Sequence, residues 1–180
     1  IKYGINDAFT LDAILVPDFG QTKFDNVVLN LGPFEQQFNE NRPFFTEGTD
    51  LFSKGNLLYS RRIGQTPDLN LNIAENESVE SPGAINLVNA LKISGRDKDG
   101  LGIGFLNAIT EKTMATATNS DDDSTRQVEV SPLTNYNVMV FDQRFNQNSS
   151  VTFINTNVTR NGSFRDANVT GLLFDLNNKT

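Results

Sequence analysis

Carboxylates are the residues in this chain best suited to acid–base chemistry, because its 180 residues include no His and no Cys. The Ser-His-Asp and Cys-His forms of nucleophilic catalysis are therefore excluded within the chain. Two acids a few ångströms apart suffice for glycoside hydrolysis. The candidates for such a pair are Glu40, Glu47 and Asp50 in one stretch, and Asp18 with Asp25 in another. Pairing with nearby arginines or capping of turns is the favoured role of these acids, so we predict no catalytic residue.

A charged and aromatic stretch, Arg42-Pro43-Phe44-Phe45-Thr46-Glu47-Gly48, is the best candidate for binding. We expect a carboxylate to hold Arg42 while the two rings pack inward, although exposed rings could also stack on a sugar. Arg61 and Arg62 could line a lumen as a selectivity element, or anchor the carboxylates of the preceding loop. The predicted binding residues, as lumen or loop contacts, are Arg42, Phe44, Phe45, Glu47, Arg61 and Arg62.

Three consecutive acids, Asp121, Asp122 and Asp123, could supply oxygen ligands to calcium. They lack the spaced acids, the central glycine and the distal glutamate of a calcium-binding hand, so a solvated acidic loop is the favoured interpretation. Alternating glycines in Gly100-Leu101-Gly102-Ile103-Gly104 fit one face of a strand better than a nucleotide-binding loop, since no helix pattern follows them. No metal and no other cofactor is predicted.

Composition narrows the classes of partner and fold. A net charge of −7 without a basic patch argues against a nucleic-acid partner. No apolar run approaches the ~20 residues of a membrane-spanning helix. Hydrophobic residues make up only 37% of the chain, which is thin for the core of a compact enzyme. We expect the chain to be part of a longer protein.

Period-2 alternation predicts an all-β fold of antiparallel hairpins. Residues 21–66 lack this alternation and are predicted as an irregular loop with short elements, including a strand at Asn56–Arg61. Residues 65–82 are polar and are predicted as a surface loop. The predicted strands and hairpins are Lys2–Ile5 with Phe9–Val16, Ala90–Thr110, Asn135–Arg144, Ser150–Arg160 and Ala167–Asn177.

The clearest predicted hairpin, Ala90–Thr110, has one apolar face and one face of small or polar residues. On its return strand Leu101, Ile103, Phe105 and Ile109 alternate with small residues. A soluble sandwich buries the greasy face, whereas a membrane barrel turns it to lipid. Predicted strand lengths of about ten residues favour the barrel, because soluble strands usually run about five or six.

Three sequence blocks in the first third of the chain point to a family. They are Pro17-Asp18-Phe19-Gly20-Gln21, Arg42-Pro43-Phe44-Phe45-Thr46-Glu47-Gly48 and Tyr59-Ser60-Arg61-Arg62-Ile63-Gly64. In this order they resemble a poorly characterised group of Bacteroidota outer-membrane barrel proteins that carry an N-terminal domain similar to carbohydrate-binding module family 9. The resemblance implies that residues 1–180 are a single partial barrel region at the start of the barrel. It would comprise a first hairpin at 1–20, an irregular inward loop at 21–66 and further hairpins at 67–180.

The leading functional hypothesis is therefore a segment of an outer-membrane β-barrel whose parent binds or passes a glycan or other envelope substrate. Its expected partners are outer-membrane lipid and glycans or envelope proteins, and its expected location is the bacterial outer membrane. The alternative is a soluble β-sandwich module, extracellular or periplasmic, that binds carbohydrate or protein. An acid-pair glycoside hydrolase is the least favoured hypothesis.

Overall fold

The fold is all-β and antiparallel, as the sequence predicts. The computed structural model describes residues 1–15, 39–65, 73–80, 82–145 and 148–177. Its strands are β1 (Lys2–Gly4), β2 (Phe9–Leu15), β3 (Glu77–Glu80), β4 (Leu87–Arg96), β5 (Leu101–Thr110), β6 (Thr113–Asn119), β7 (Thr125–Ser131), β8 (Thr134–Phe145), β9 (Ser149–Arg160) and β10 (Ala167–Asp175).

Seven of these strands form one sheet in the order β1-β2-β4-β5-β8-β9-β10, and all neighbours are antiparallel. The predicted hairpins are confirmed, because β1 pairs with β2, β4 with β5 and β8 with β9. Gly100 has φ +89° in the β4–β5 turn, a conformation that glycine adopts without steric cost. The central strands are long, with 10 residues in β5 and 12 in each of β8 and β9.

A smaller sheet, ordered β3-β6-β7, extends one end of the large one. Strand β6 follows β5 and β7 precedes β8 with short links, so the β6–β7 hairpin prolongs the β5–β8 pair. Ala115, Ala117 and Val130 are its buried apolar residues, and Ser131 is buried beside them. The prediction of a loop throughout 65–82 is wrong at Glu77–Glu80, because this polar stretch pairs in register with β6 as an edge strand.

Residues 39–65, here called the covering segment, pack on the large sheet. They contain a short helix α1 (Pro43–Thr46) and two 3₁₀ turns, Lys54–Asn56 and Ser60–Arg62. The predicted strand at Asn56–Arg61 is wrong, because Gly55 and Asn56 have φ of +66° and +53°, which an extended strand does not tolerate. No helix within the described ranges is long and apolar enough to cross a membrane. Residues 16–38, which include residues 21–38 of the predicted inward loop, lie outside the described residues.

The two faces of the large sheet differ in polarity. The outer face comprises the odd-numbered residues of β1, β2, β5, β8 and β9, those of β4 from Asn89 onward, and the even-numbered residues of β10. The opposite, inner face carries the core together with the covering segment. Its buried residues include Phe45, Phe52, Leu106, Val140 and Ile154. In β5 the small-residue face is therefore the buried one, and the greasy face looks outward.

Connections between neighbouring strands are short at one end of the sheet and long at the other. Residues 5–8, 97–100 and 146–148 link consecutive strands at the short end. The long end carries the β6–β7 hairpin, the chain between β2 and β4, and residues 161–166. We call these the short-connection end and the long-connection end.

Glycines on β5 allow the covering segment to approach the sheet closely. A Cβ on Gly104 would lie 3.1 Å from two ring atoms of Phe52 and 3.4 Å from Leu51 Cβ. Gly104→Val should therefore displace the covering segment and destabilise the fold by about 1–3 kcal/mol. The thermal unfolding midpoint should fall relative to Gly4→Val, a control with no atom within 4 Å of the added Cβ. Equal midpoints for the two variants would contradict the described packing.

Candidate functional site

Lys92, on the inner face of β4, anchors the covering segment. Its side chain is 1% exposed, and its Nζ donates hydrogen bonds to the carbonyl oxygens of Phe44 at 2.6 Å and Glu47 at 2.5 Å. Asp12 of β2 supplies the counter-charge at 3.5 Å, and the Phe44 ring centroid lies 4.8 Å from Nζ. A buried ammonium is tolerated only with such partners, so this group ties β2, β4 and the covering segment together.

Asp142 is the second buried charge on the inner face. It has no exposed surface and accepts hydrogen bonds from Arg96 and from Thr152 Oγ1, the latter at 2.5 Å. Lys54 of the covering segment lies 3.5 Å from its Oδ1. Three elements of the sheet and the covering segment therefore share one carboxylate, which forms the centre of an ionic cluster.

Arg42 belongs to a third cluster, inside the covering segment. Its Nε and Nη2 donate to the two carboxylate oxygens of Glu40 at 2.8 and 2.7 Å, while Nη1 and Nη2 donate to the carbonyls of Ile63 and Ser60. Its guanidinium also lies 4.3 Å from the Phe45 ring centroid. The prediction that a carboxylate holds Arg42 while the rings pack inward is confirmed: Phe44 and Phe45 are 6% and 5% exposed.

The other three predicted binding residues stand apart from this buried cluster. Glu47 is exposed and receives a hydrogen bond from Lys2 at 2.9 Å. Arg61 is partly exposed and Arg62 exposed, and the Arg62 guanidinium lies 5.8 Å from the Tyr59 ring centroid. The covering segment thus carries all six predicted binding residues, three of them buried and three toward its surface.

Of the three candidates for a hydrolytic pair in the covering segment, Glu40 and Glu47 are engaged in ion pairs and Asp50 is exposed. Burial alone would raise the pKa of Glu40, but hydrogen bonds from Arg42 and Ser60 outweigh it and hold that pKa below its usual range. The hydrogen bond from Lys2 likewise lowers the pKa of Glu47. A general acid in glycoside hydrolysis needs a raised pKa, so neither residue is prepared for that role. Asp18 and Asp25 lie outside the described residues.

The acidic loop Asp121–Asp123 closes the β6–β7 hairpin, and the carboxylates of Asp121 and Asp122 have protein partners. Asp121 accepts a hydrogen bond from Asn76 at 2.6 Å, and Asp122 accepts from Ser124, which lowers the pKa of Asp122. Among the described residues, no three acids come together in a way that could hold a metal ion.

A small cavity of about 140 Å³ lies between the covering segment and the sheet. Its lining residues are Phe45, Thr49, Phe52, Ser53, Leu58, Ser60 and Leu106. Small-molecule sites usually have volumes of about 300–1,000 Å³, so this space is too small for a sugar-sized ligand.

The outer face has a different chemistry, because its described residues include no Asp, Glu, Lys or Arg. One register row, here called the apolar row, runs across four neighbouring strands as Ile103, Phe141, Phe153 and Leu172. Phe141 and Phe153 are 42% and 37% exposed, and their ring centroids lie 6.4 Å apart.

Sequence reasoning identified the Arg42 cluster but not Lys92 or Asp142. The sequence could have indicated Asp142, because it follows the buried Val138 and Val140 at two-residue spacing in β8 and so lies on the same strand face. Parity places such a charge on the core side, where it must find a partner.

The fold and these clusters define a class: an antiparallel all-β protein whose charged inner face is covered by its own segment and whose uncharged outer face is exposed. The chain belongs to the family described as Domain of unknown function (DUF5916), whose model matches residues 1–180. No curated protein and no solved structure matches the chain.

Replacing Asp142 should weaken the attachment of the covering segment. Asp142→Asn leaves Arg96 and Lys54 without their counter-charge, which should cost about 3 kcal/mol of unfolding free energy. Denaturant unfolding of the purified protein would measure this loss. Asp99→Asn, in an exposed turn, removes the same charge and should change the unfolding free energy little. A similar result for both variants would show that the Asp142 cluster does not stabilise the fold.

The ion pair between Glu77 on β3 and Arg126 on β7 predicts an acid-resistant contact. Arg126 donates hydrogen bonds to the Glu77 carboxylate, with Nε 2.6 Å from Oε1. These bonds lower the pKa of Glu77 to about 2. A lowered pKa means that the stabilisation is present above the ordinary glutamate pKa and is lost as the pH falls toward 2.

Carboxyl carbon shifts followed by NMR from pH 6 to 1.5 should therefore give a Glu77 midpoint near 2. In Arg126→Met the midpoint should return toward the usual range of about 4.3. Lys98→Met, which removes an exposed cation at the opposite end of the sheet, should leave the midpoint unchanged.

Proposed function

We propose that this chain is a segment of the wall of an outer-membrane β-barrel, with the covering segment on the lumen side. The parent protein would bind or pass a glycan or other envelope substrate. Strands β1, β2, β4, β5, β8, β9 and β10 would form the wall, and the β3-β6-β7 sheet would project from it.

The distribution of charged residues between the two faces of the large sheet is the observation that carries this proposal. Its buried inner face holds charged Lys92 and Asp142, while its exposed outer face has no charged residue in the described strands. A one-sided sheet in water keeps its charged residues on the solvated face, because that face is the polar one. Transmembrane barrels place apolar residues outward and polar residues inward.

The exposed apolar side chains support the same assignment. On β10, Leu172 and Phe174 are 58% and 62% exposed, and on β8, Met139 and Phe141 are 41% and 42% exposed. They lie on one face, and Phe141 and Leu172 are the register partners of Phe153 of β9. A contiguous exposed apolar surface of this kind marks a contact with a membrane or with another protein.

Strand length and the connections also suit a membrane barrel. Strands of 10 to 12 residues match the ~9–11 residues that a tilted strand needs to cross a bilayer. Barrels of this class have short turns on the periplasmic side and longer loops outside. In the proposed orientation the short-connection end faces the periplasm.

The edges of the sheet require further pairing in such a wall. In the described part of the chain, no strand pairs with the outer edge of β1 or of β10. Unpaired backbone groups in hydrocarbon cost several kcal/mol each, so the proposed wall includes additional strands at both edges.

The substrate proposal rests on the family resemblance and on the surface of the covering segment. Phe44 and Phe45 are buried, so these rings do not offer a stacking platform in this conformation. Arg62 is exposed and Arg61 partly so, and both belong to the covering segment. We assign them to contact with a substrate on the lumen side.

A fluorescence-quenching measurement of lipid contact at the outer face tests the proposal. These 180 residues contain no Cys, so Phe153→Cys, in a full-length protein whose other cysteines are replaced by Ser, can carry a single fluorescent label on the outer face. In the full-length protein reconstituted into vesicles, brominated acyl chains should quench this label strongly. A label at Lys98→Cys, in the exposed β4–β5 turn, should be quenched by aqueous iodide instead.

Iodide quenching of the Phe153→Cys label without quenching by brominated lipid would overturn the proposal. Recovery of the full-length protein in the soluble fraction after membrane separation would overturn it too. Either outcome would favour a soluble sandwich whose outer face meets water or another protein domain.

A further inference from the structure

The outer face carries a line of asparagines across four neighbouring strands. Asn107 pairs in register with Asn137, Asn137 with Asn157, and Asn157 with Asn168. We call these four residues the asparagine row. The row lies four positions from the apolar row along each strand, toward the long-connection end, which corresponds to roughly 14 Å at 3.4 Å per residue.

Side-chain hydrogen bonds connect the row to further polar groups on the same face. Asn107 Nδ2 donates to Oδ1 of Asn135 at 2.7 Å and of Asn137 at 2.8 Å. Asn155 Nδ2 donates to Asn168 Oδ1 at 3.0 Å and to Thr170 Oγ1 at 2.7 Å. These contacts hold the amides in fixed orientations on a pleated surface.

The network leaves three amide donor groups on this face without a partner in the described ranges. The Nδ2 groups of Asn135, Asn137 and Asn157 donate to no other residue in the described ranges, although their oxygens accept hydrogen bonds. Each of these amides therefore presents donors to whatever covers the face.

The chemistry of the row selects a neutral, hydroxyl-rich partner. Amides both donate and accept, which matches the hydroxyl groups of a sugar. Phosphate groups are bound chiefly by Arg and Lys, and no such residue stands on the described outer face. Hydrocarbon is a poor match, because burying an amide there without a compensating hydrogen bond costs several kcal/mol.

We propose that the asparagine row contacts the saccharide headgroups of glycolipid at the outer boundary of the membrane. This inference rests on the proposed function, which orients the long-connection end outward. The apolar row then lies in hydrocarbon. With strands tilted by about 40°, the asparagine row lies roughly 10 Å nearer the outer surface. The row fixes the depth of the wall because deeper insertion would bury its amides.

The depth relation can be measured on one strand. Single labels at Phe153→Cys and Asn157→Cys of β9 both face outward. In vesicles whose lipids carry bromine either near the chain ends or near the headgroup, the first label should be quenched by deep bromine and the second by shallow bromine.

The two labels separate the failure of this inference from the failure of the proposed function. Deep quenching of both labels would place the asparagine row in hydrocarbon, which overturns the inference and leaves the barrel wall intact. Absence of lipid quenching at Phe153→Cys would overturn the proposed function itself, and the inference with it.

Headgroup preference is the second measurement. Spin-labelled lipid with an uncharged disaccharide headgroup should associate about threefold more with the wild-type protein than spin-labelled phosphatidylcholine, as expected from about one net hydrogen bond. The double variant Asn137→Leu/Asn157→Leu should lower this ratio toward one. The matched control is Asn41→Leu/Asn161→Leu, two exposed asparagines outside the outer face, which should keep the wild-type ratio.

A ratio of one for the wild-type protein, with deep quenching at Phe153→Cys, would overturn the saccharide contact while the barrel wall stands. Preference for phosphatidylglycerol over the disaccharide lipid would also overturn it, because it would show selection of a charged headgroup.

Discussion

The attachment of the covering segment to the sheet through buried charges is the constraint on which the rest of the structure depends. Lys92 is buried, and its hydrogen-bond partners are carbonyls of the covering segment, with Asp12 of β2 as counter-charge. Asp142 joins β8, β9 and β4 to Lys54 of the same segment. Charges in such positions are stable only when all partners are present, so the sheet and the covering segment form one cooperative unit.

This arrangement gives the two faces of the large sheet different side-chain chemistry. The charged groups and the small residues of β5 are used on the inner face, where Gly102 and Gly104 admit Leu51 and Phe52. The outer face is left with apolar side chains and neutral amides. On the outer face, the apolar row and the asparagine row each follow the strand register across four strands.

Much of the strand framework could be predicted, because period-2 alternation and turn residues are local signals. The prediction failed at Asn56–Arg61, where positive φ values produce 3₁₀ turns, and at Glu77–Glu80, where a polar stretch pairs as an edge strand. The partner of Arg42 could be predicted from the sequence, because Glu40 is only two positions away. The Lys92 cluster could not be predicted, because 48 positions separate Lys92 from Phe44.

The sequence by itself determined the antiparallel strands, their approximate limits, the opposing characters of their two faces, and the absence of His and Cys chemistry. Only the tertiary structure decided which face is buried. An alternating strand has the same pattern in a sandwich and in a barrel, since alternation defines two faces without saying what covers either. Packing of residues 39–65 over the face that carries Leu106, Val140 and the buried charges shows that this face is the inner one. The same register aligns four separated asparagines into one row, which local sequence could not reveal.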